Sequence, residues 1–217
     1  MTPISAPRSA PRSAHRSGGD AASLHWRGPV AGFLGLIFGG IVLLAAATTP
    51  ARADQTDAAL TPLFERLAQP GLAEQEARRL EFEIWHLWNQ SGSPTIDLLM
   101  GRGKQFDDTP RELTQAIALF DAAVALAPGF AEAWNKRATA HYLQGDYPAA
   151  IRDIEQTLRL EPRHFGALSG LGLIMVELGE TEKALRAFRL ALEINPHLSD
   201  IADEVALLET DLAGQGI

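Results

Sequence analysis

The sequence predicts an all-α chain whose centre is a short α-solenoid of about three helix pairs. Three observations carry that expectation. The segments ALAP (125–128), RLEP (159–162) and EINP (193–196) end alike, with Pro128, Pro162 and Pro196 stepping by 34 residues. Other columns keep the same step: Ala116, Ala150 and Ala184; Phe120, Ile154 and Phe188; Met100, Trp134 and Leu168. Within each unit, apolar residues recur at spacings of three and four on both sides of a short turn, the mark of two amphipathic helices.

The first 53 residues stand apart. Residues 5–17, SAPRSAPRSAHRS, are basic and biased; residues 30–47, VAGFLGLIFGGIVLLAAA, carry no charge; Ala51 and Ala53 then frame Arg52. Basic segment, apolar stretch and A-x-A follow the order of a secretory signal peptide, with the cut expected between Ala53 and Asp54. The alternative is an uncleaved anchor, because about 18 apolar residues reach the lower limit for crossing a bilayer. Arginines ahead of the apolar stretch put the rest of the chain outside the cytoplasm on either reading. The expected location is the periplasm or beyond, or the periplasmic face of the inner membrane if 30–47 stays attached. Five of the 19 Lys and Arg residues and one of the 27 acidic residues lie in 1–53, leaving 14 basic and 26 acidic residues and a net charge of −12. Such a surface repels nucleic acid and anionic lipid. A protein or peptide is the expected partner, with membrane contact only through 30–47. The chain has no cysteine, so disulfides, thiol catalysis and thiolate metal sites are excluded.

Residues 54–96 read as flanking helices. PLFERLAQ (62–69) suits a short helix, and LAEQEARRLEFEIWHLWNQ (72–90) a long one, with Leu80, Ile84, Leu87 and Trp88 on one face and Trp85 beside them. The two are expected to pair and to pack on the first repeat copy. That copy (97–130) opens with a short helix from about Pro94 to Gln105, with Ser93 as N-cap. Its second helix begins near Pro110, where Thr109 and Glu112 form a capping box with proline at the first helical position. In the middle copy (131–164), AEAWNKRATAHYLQ ends at Gly145; Asp146 caps the next helix, and Pro148 fits its first turn. The third copy (165–198) repeats this with Gly179 and Glu180 at the turn and Ala184, Phe188 and Leu192 on the buried face. Residues 197–214 read as a capping helix, Ile201, Val205 and Leu208 facing the array and Glu204, Glu209 and Asp211 facing water, with a loose tail GQGI after it.

These repeats resemble the tetratricopeptide repeat (TPR) family, whose pattern runs W-x2-L-G-x2-Y, A-x3-F, P. The middle copy supplies Trp134, Ala138 in place of Gly, Ala150, Ile154 in place of Phe, and Pro162; the third supplies Leu171, Gly172, Ala184, Phe188 and Pro196. The first keeps Ala116, Phe120 and Pro128, but has Gly103, Lys104 and Asp107 where Leu, Gly and Tyr are usual. The resemblance covers residues 97–196 and implies a groove, lined by the first helix of each pair, that binds a peptide or helix. Carried over by position, the groove residues are Asn135, Thr139 and Tyr142 with Glu132 at the edge, then Ser169, Leu173 and Val176, then Gly101, Gln105 and Asp108 in the poorly matching copy. The alternative is that some of these positions contact the chain's own helix at 72–90. Some family members clamp a carboxylate with Lys, Asn and Arg; only Asn135 and Lys136 offer anything similar here.

No chemistry competes with that reading. His86, His141, His164 and His197 show no metal-ligand spacing and read as ordinary turn and surface histidines. Asp107 and Asp108 precede a capping box and read as a solvated turn. Trp85, Trp88 and Trp134 read as core. No catalytic residue, metal or cofactor is expected, and an enzyme is not. HFGALSGLGLI (164–174) is glycine-rich, but it follows a proline turn and is itself helical, so it is no phosphate loop. Gly172 stands where the family pattern requires close helix packing. Gly166 and Gly170 are expected to keep the groove shallow for a ligand backbone.

Overall fold

The computed structural model describes residues 58–69, 71–106 and 109–214, all within one unit spanning Ala46–Ile217. The signal-peptide and anchor segment, the cut at Ala53 and Asp54, Asp107, Asp108 and the last three residues lie outside the described residues. Among the described residues there are nine α-helices and no strand: α1 (Leu60–Leu67), α2 (Glu74–Trp88), α3 (Pro94–Gly103), α4 (Pro110–Leu126), α5 (Ala131–Leu143), α6 (Tyr147–Leu160), α7 (Phe165–Glu177), α8 (Thr181–Ile194) and α9 (Ser199–Gly214). Helices α3 to α8 form three antiparallel pairs stacked in chain order as a solenoid, and α9 packs on α8.

The turns follow local chemistry. Gly145 and Gly179 adopt φ of 76° and 71°, a left-handed conformation that glycine enters at no steric cost. Asp146 caps α6 by accepting from the Ala149 N–H at 3.1 Å, and Thr109 Oγ1 caps α4 by accepting from Glu112 N–H at 3.4 Å. Ser93 occupies the N-cap position of α3 without bonding it; instead Asp97, in the first turn, accepts from the backbone and hydroxyl of Ser91. One buried column went unread. Glu161 and Asn195, 34 residues apart, each turn a side-chain oxygen onto the backbone N–H two residues on, Arg163 and His197, both at 3.0 Å.

Within each pair, an apolar side chain on the second helix packs against a small residue on the first. Phe188 lies so close to Gly172 that a Cβ there would overlap its ring. In the first copy Phe120 meets Gly103, one position ahead of the Lys104 that the 34-residue step assigns. The shorter α3 absorbs that shift.

The flanking pair α1–α2 departs from expectation. The two helices do pair, but their shared apolar core is with the third copy and not the first. Leu60, Phe64, Leu80, Ile84 and Trp88 share a core with Phe165 and Leu168 of α7 and Ala191 of α8. In the first copy Ile96, Met100, Leu113 and Phe120 are packed between α3, α4 and α5. Helix α2, 15 residues and about 22 Å long at 1.5 Å per residue, instead crosses the array. Its end meets the first copy, where Lys104 donates to Asn89. Its middle places Trp85 between Lys136 and His164. Further back, Glu81 accepts from Asn195 at 2.7 Å. His197 then donates through Nε2 to the Leu67 carbonyl of α1 at 3.1 Å.

Candidate groove between helices α5 and α7

The face shared by the first helices of the pairs divides into a filled half and an open half. In the filled half, α2 covers the first turns of α5 and α7. Glu132 is 0% exposed there. Its Oε2 accepts from Asn135 Nδ2 at 2.9 Å and lies 3.2 Å from His164 Nε2, while Oε1 lies 3.1 Å from Lys136 Nζ. His164 caps α7: its Nδ1 accepts from the Ala167 N–H at 3.1 Å, which leaves the proton on Nε2 to donate to Glu132. The imidazole stacks on Trp88 at 4.2 Å and 7°, and Trp85 meets it edge-on. Burial pushes the Glu132 carboxyl up, but His164, Lys136 and Asn135 together hold it below the usual carboxylate range. A buried carboxylate so compensated stays ionised.

This cluster corrects two expectations. Glu132, expected at the groove's edge, is fully buried, and Asn135, whose Nδ2 is held by Glu132, reaches the groove only at the wall of the cleft described below. His164 is fully buried and structural rather than a surface histidine. Gly166 is explained by the same packing: a Cβ would lie 2.7 Å from the Trp85 ring, so the space it leaves is filled by the chain's own helix rather than by a ligand. The helix at 72–90 reaches this half through Trp85 and Trp88, which contact Lys136, His164 and Gly166.

The open half runs toward the C-terminal ends of α5 and α7. Thr139 and Leu173 are exposed, the latter by 39%, and Tyr142, Ser169 and Val176 are half-buried. Between the two helices lies a cleft of about 270 Å³, floored by Ala138, Ile154 and Ile174 and bounded by Tyr142, Gly170 and Leu173. Nothing within 3.8 Å would meet a Cβ on Gly170, so that glycine does leave room in the groove. The Tyr142 ring lies 5.9 Å from that of Tyr147, and its phenol is raised from its usual value by burial and by the charge of Glu177. Beside the cleft, Lys104 and Lys136 line a second opening. Partial burial lowers Lys104 and the Lys136 charge adds to this, against Glu132 and Asp97. Gly101 and Gln105 of the first copy are exposed on α3 and just beyond it. Among the described residues, no three His, Asp or Glu side chains gather as a metal site, and no helix is long and apolar enough to cross a membrane.

Residues 111–154 and 136–199 match the family model described as tetratricopeptide repeat. A TPR repeat-containing protein of Rhizobium etli is 38% identical over 158 residues, covering 71% of this chain and 75% of that protein. The chain belongs to the tetratricopeptide repeat family. The match to the family model begins in α4 and leaves out α3, the helix whose sequence departs most from the pattern. Small glutamine-rich tetratricopeptide repeat-containing protein 2 of Saccharomyces cerevisiae is 28% identical over 121 residues, 56% of this chain and 34% of that one. Among solved structures, the Sgt2 TPR domain from Aspergillus fumigatus has a TM-score of 0.52 at 22% identity, over 57% of this chain and 83% of that domain. The first TPR domain of Spaghetti, bound to an HSP90 peptide, has a TM-score of 0.52 at 20% identity, over 56% and 95%. These structures share the fold. As a TPR array, the chain is built on a protein-interaction scaffold.

Proposed function

We propose that this TPR array is a non-enzymatic docking module of the cell envelope that binds a polypeptide in the open half of its groove. The cleft between α5 and α7 carries the proposal: Leu173 and Thr139 stay exposed beside an apolar floor that the chain's own helix leaves uncovered. Contact runs through Thr139, Tyr142, Ser169, Leu173 and Val176. An apolar side chain enters the cleft, and the Tyr142 hydroxyl and Ser169 bond the backbone or polar groups beside it. The likeness to a domain solved with a bound peptide supports a polypeptide ligand. Replacing Tyr142 and Leu173 together by Ala should reduce partner capture from envelope extracts at least ten-fold while circular dichroism keeps its helical signal. Undiminished capture would refute the groove.

The envelope location rests on the order of basic segment, apolar stretch and A-x-A in residues 5–53. The second reading, a scaffold or assembly factor held at the inner membrane, rests on the uncharged stretch 30–47. The intact mass of the protein recovered from cells separates them: a chain starting at Asp54 is released, and one keeping 30–47 is anchored.

A further inference from the structure

We infer that the groove has a direction: it takes an extended segment with an acidic residue at Lys104, an apolar side chain between Tyr142 and Leu173, and a basic residue at Glu81 and Asp200. This rests on the docking reading above and adds the composition and polarity of the occupant.

Three openings form one track. The opening between α3 and α5, about 200 Å³, shares Thr139 and Leu143 with the central cleft. The central cleft shares Ser169 with a larger cavity of about 550 Å³ between α2, α7 and the start of α9. Charge changes sign along this track. Among the described residues, Lys104 and Lys136 line the first opening and no carboxylate does. Lys136 is paired with buried Glu132, so the surplus charge is that of Lys104. No charged residue among those described lines the central cleft. In the last cavity Glu74 pairs with Arg78, leaving Glu81 and Asp200 as the surplus, with His197 beside them donating to the Leu67 carbonyl. On a chain whose residues 54–217 carry a net −12, a positive end of the track is a local exception.

The spacing follows from helix packing. Two pair-to-pair steps of about 10 Å each separate the ends of the track. An extended segment covers that distance in about six residues at ~3.3 Å each. The occupant therefore reads acid, then apolar about three residues on, then base about three further. The reversed segment would set acid against Glu81 and Asp200 and base against Lys104, and such like-charge contacts are what discriminate wrong partners.

The test is selection of a random twelve-residue phage-displayed peptide library on the immobilised protein expressed from the full chain. Selected peptides should carry the acid–apolar–base order. A synthetic peptide of that order should bind at least ten-fold more tightly than its charge-reversed counterpart. Lys104→Glu combined with Asp200→Lys, both exposed positions, should invert the preference. Asp200→Lys alone should weaken it, which guards against loss of the Lys104 bond to Asn89. Peptides that lose binding on Leu173→Ala yet show no charge order overturn the direction and leave the groove standing. Peptides indifferent to Leu173→Ala, or no enriched peptide at all, overturn both.

Discussion

Glu132→Gln should destabilise the array at neutral pH and leave it almost unchanged in acid. The substitution keeps the shape of the side chain and removes its charge. The hydrogen bonds from His164 at 3.2 Å and Asn135 at 2.9 Å become neutral ones, each weaker by about 1 kcal/mol. The Lys136 pair at 3.1 Å is also lost, but its lysine keeps 28% of its side-chain exposure and can rehydrate, so that loss stays near 1 kcal/mol or below. Relief from burying a charge offsets part of this. The carboxyl is nonetheless held below its ordinary range, so the partners outweigh the burial. A net loss of about 1–3 kcal/mol is expected, or roughly 2–4 °C per kcal/mol for an array of this size. A folded-state value below the unfolded one means the stabilisation is complete above the unfolded carboxylate value, about 4.3, and fades as pH falls below it. Thermal unfolding of both proteins from pH 7 to pH 3 should show melting curves that separate above about pH 4.3 and converge below it. A variant as stable as the parent at pH 7, or a gap at pH 3 as large as that at pH 7, would show that the charge contributes nothing.

Three further outcomes follow from the packing. Arg137 bonds both oxygens of Asp153 at 2.7 Å and reaches Asp121 at 2.6 Å, tying α4, α5 and α6 together; Arg137→Lys keeps the charge but loses the fork, and urea unfolding should register a loss of about 2 kcal/mol. Gly170→Ala should stabilise by about 0.5–1 kcal/mol through helix propensity while weakening partner binding by filling the cleft, whereas Gly172→Ala should destabilise by about 1–2 kcal/mol because the Phe188 ring must move; thermal melts and capture assays on the pair read both signs. His164→Asn keeps an N-cap for α7 but loses the Trp88 stack and the Glu132 bond, and a loss of about 2 kcal/mol with altered tryptophan fluorescence is expected.

What could be read from the sequence was local. The caps at Thr109 and Asp146 and the glycine turns at 145 and 179 each depend on residues within a few positions of one another, and the 34-residue step is a periodicity of the sequence itself, so all of them survive without any knowledge of the fold. The position of α2 did not. Its apolar face was plain from Leu80, Ile84 and Trp88, but a pattern shows which face is buried and not what buries it. Chain order favoured the first copy; the free apolar surface lay on the third, 80 residues on at Phe165 and further still at Ala191. His164 was misread for the same reason, since its partner Glu132 lies 32 residues away. Two signals were present: a histidine at an N-cap position beside Phe165, and two tryptophans on a flanking helix with no declared partner. Gly166 was expected to make room for a ligand backbone, but the group that lies against it is Trp85, 81 residues away in sequence and so outside any local pattern.

The buried cluster also bears on which ligands the groove can take. Capture of a peptide carboxylate by Asn135 and Lys136 would have to compete with Glu132, which already holds both. Drawing them away would leave a fully buried carboxylate short of partners, at a cost of several kcal/mol. An exposed carboxylate–lysine pair returns about 1 kcal/mol at most. The exchange is unfavourable, so the middle copy's most clamp-like residues serve the fold. In the proposed binding mode, recognition falls to the side chains that α2 leaves uncovered, and Leu173 and Tyr142 are the two that offer apolar area beside a hydroxyl. The helix that closes half of the groove thereby sets the chemistry of the half that remains.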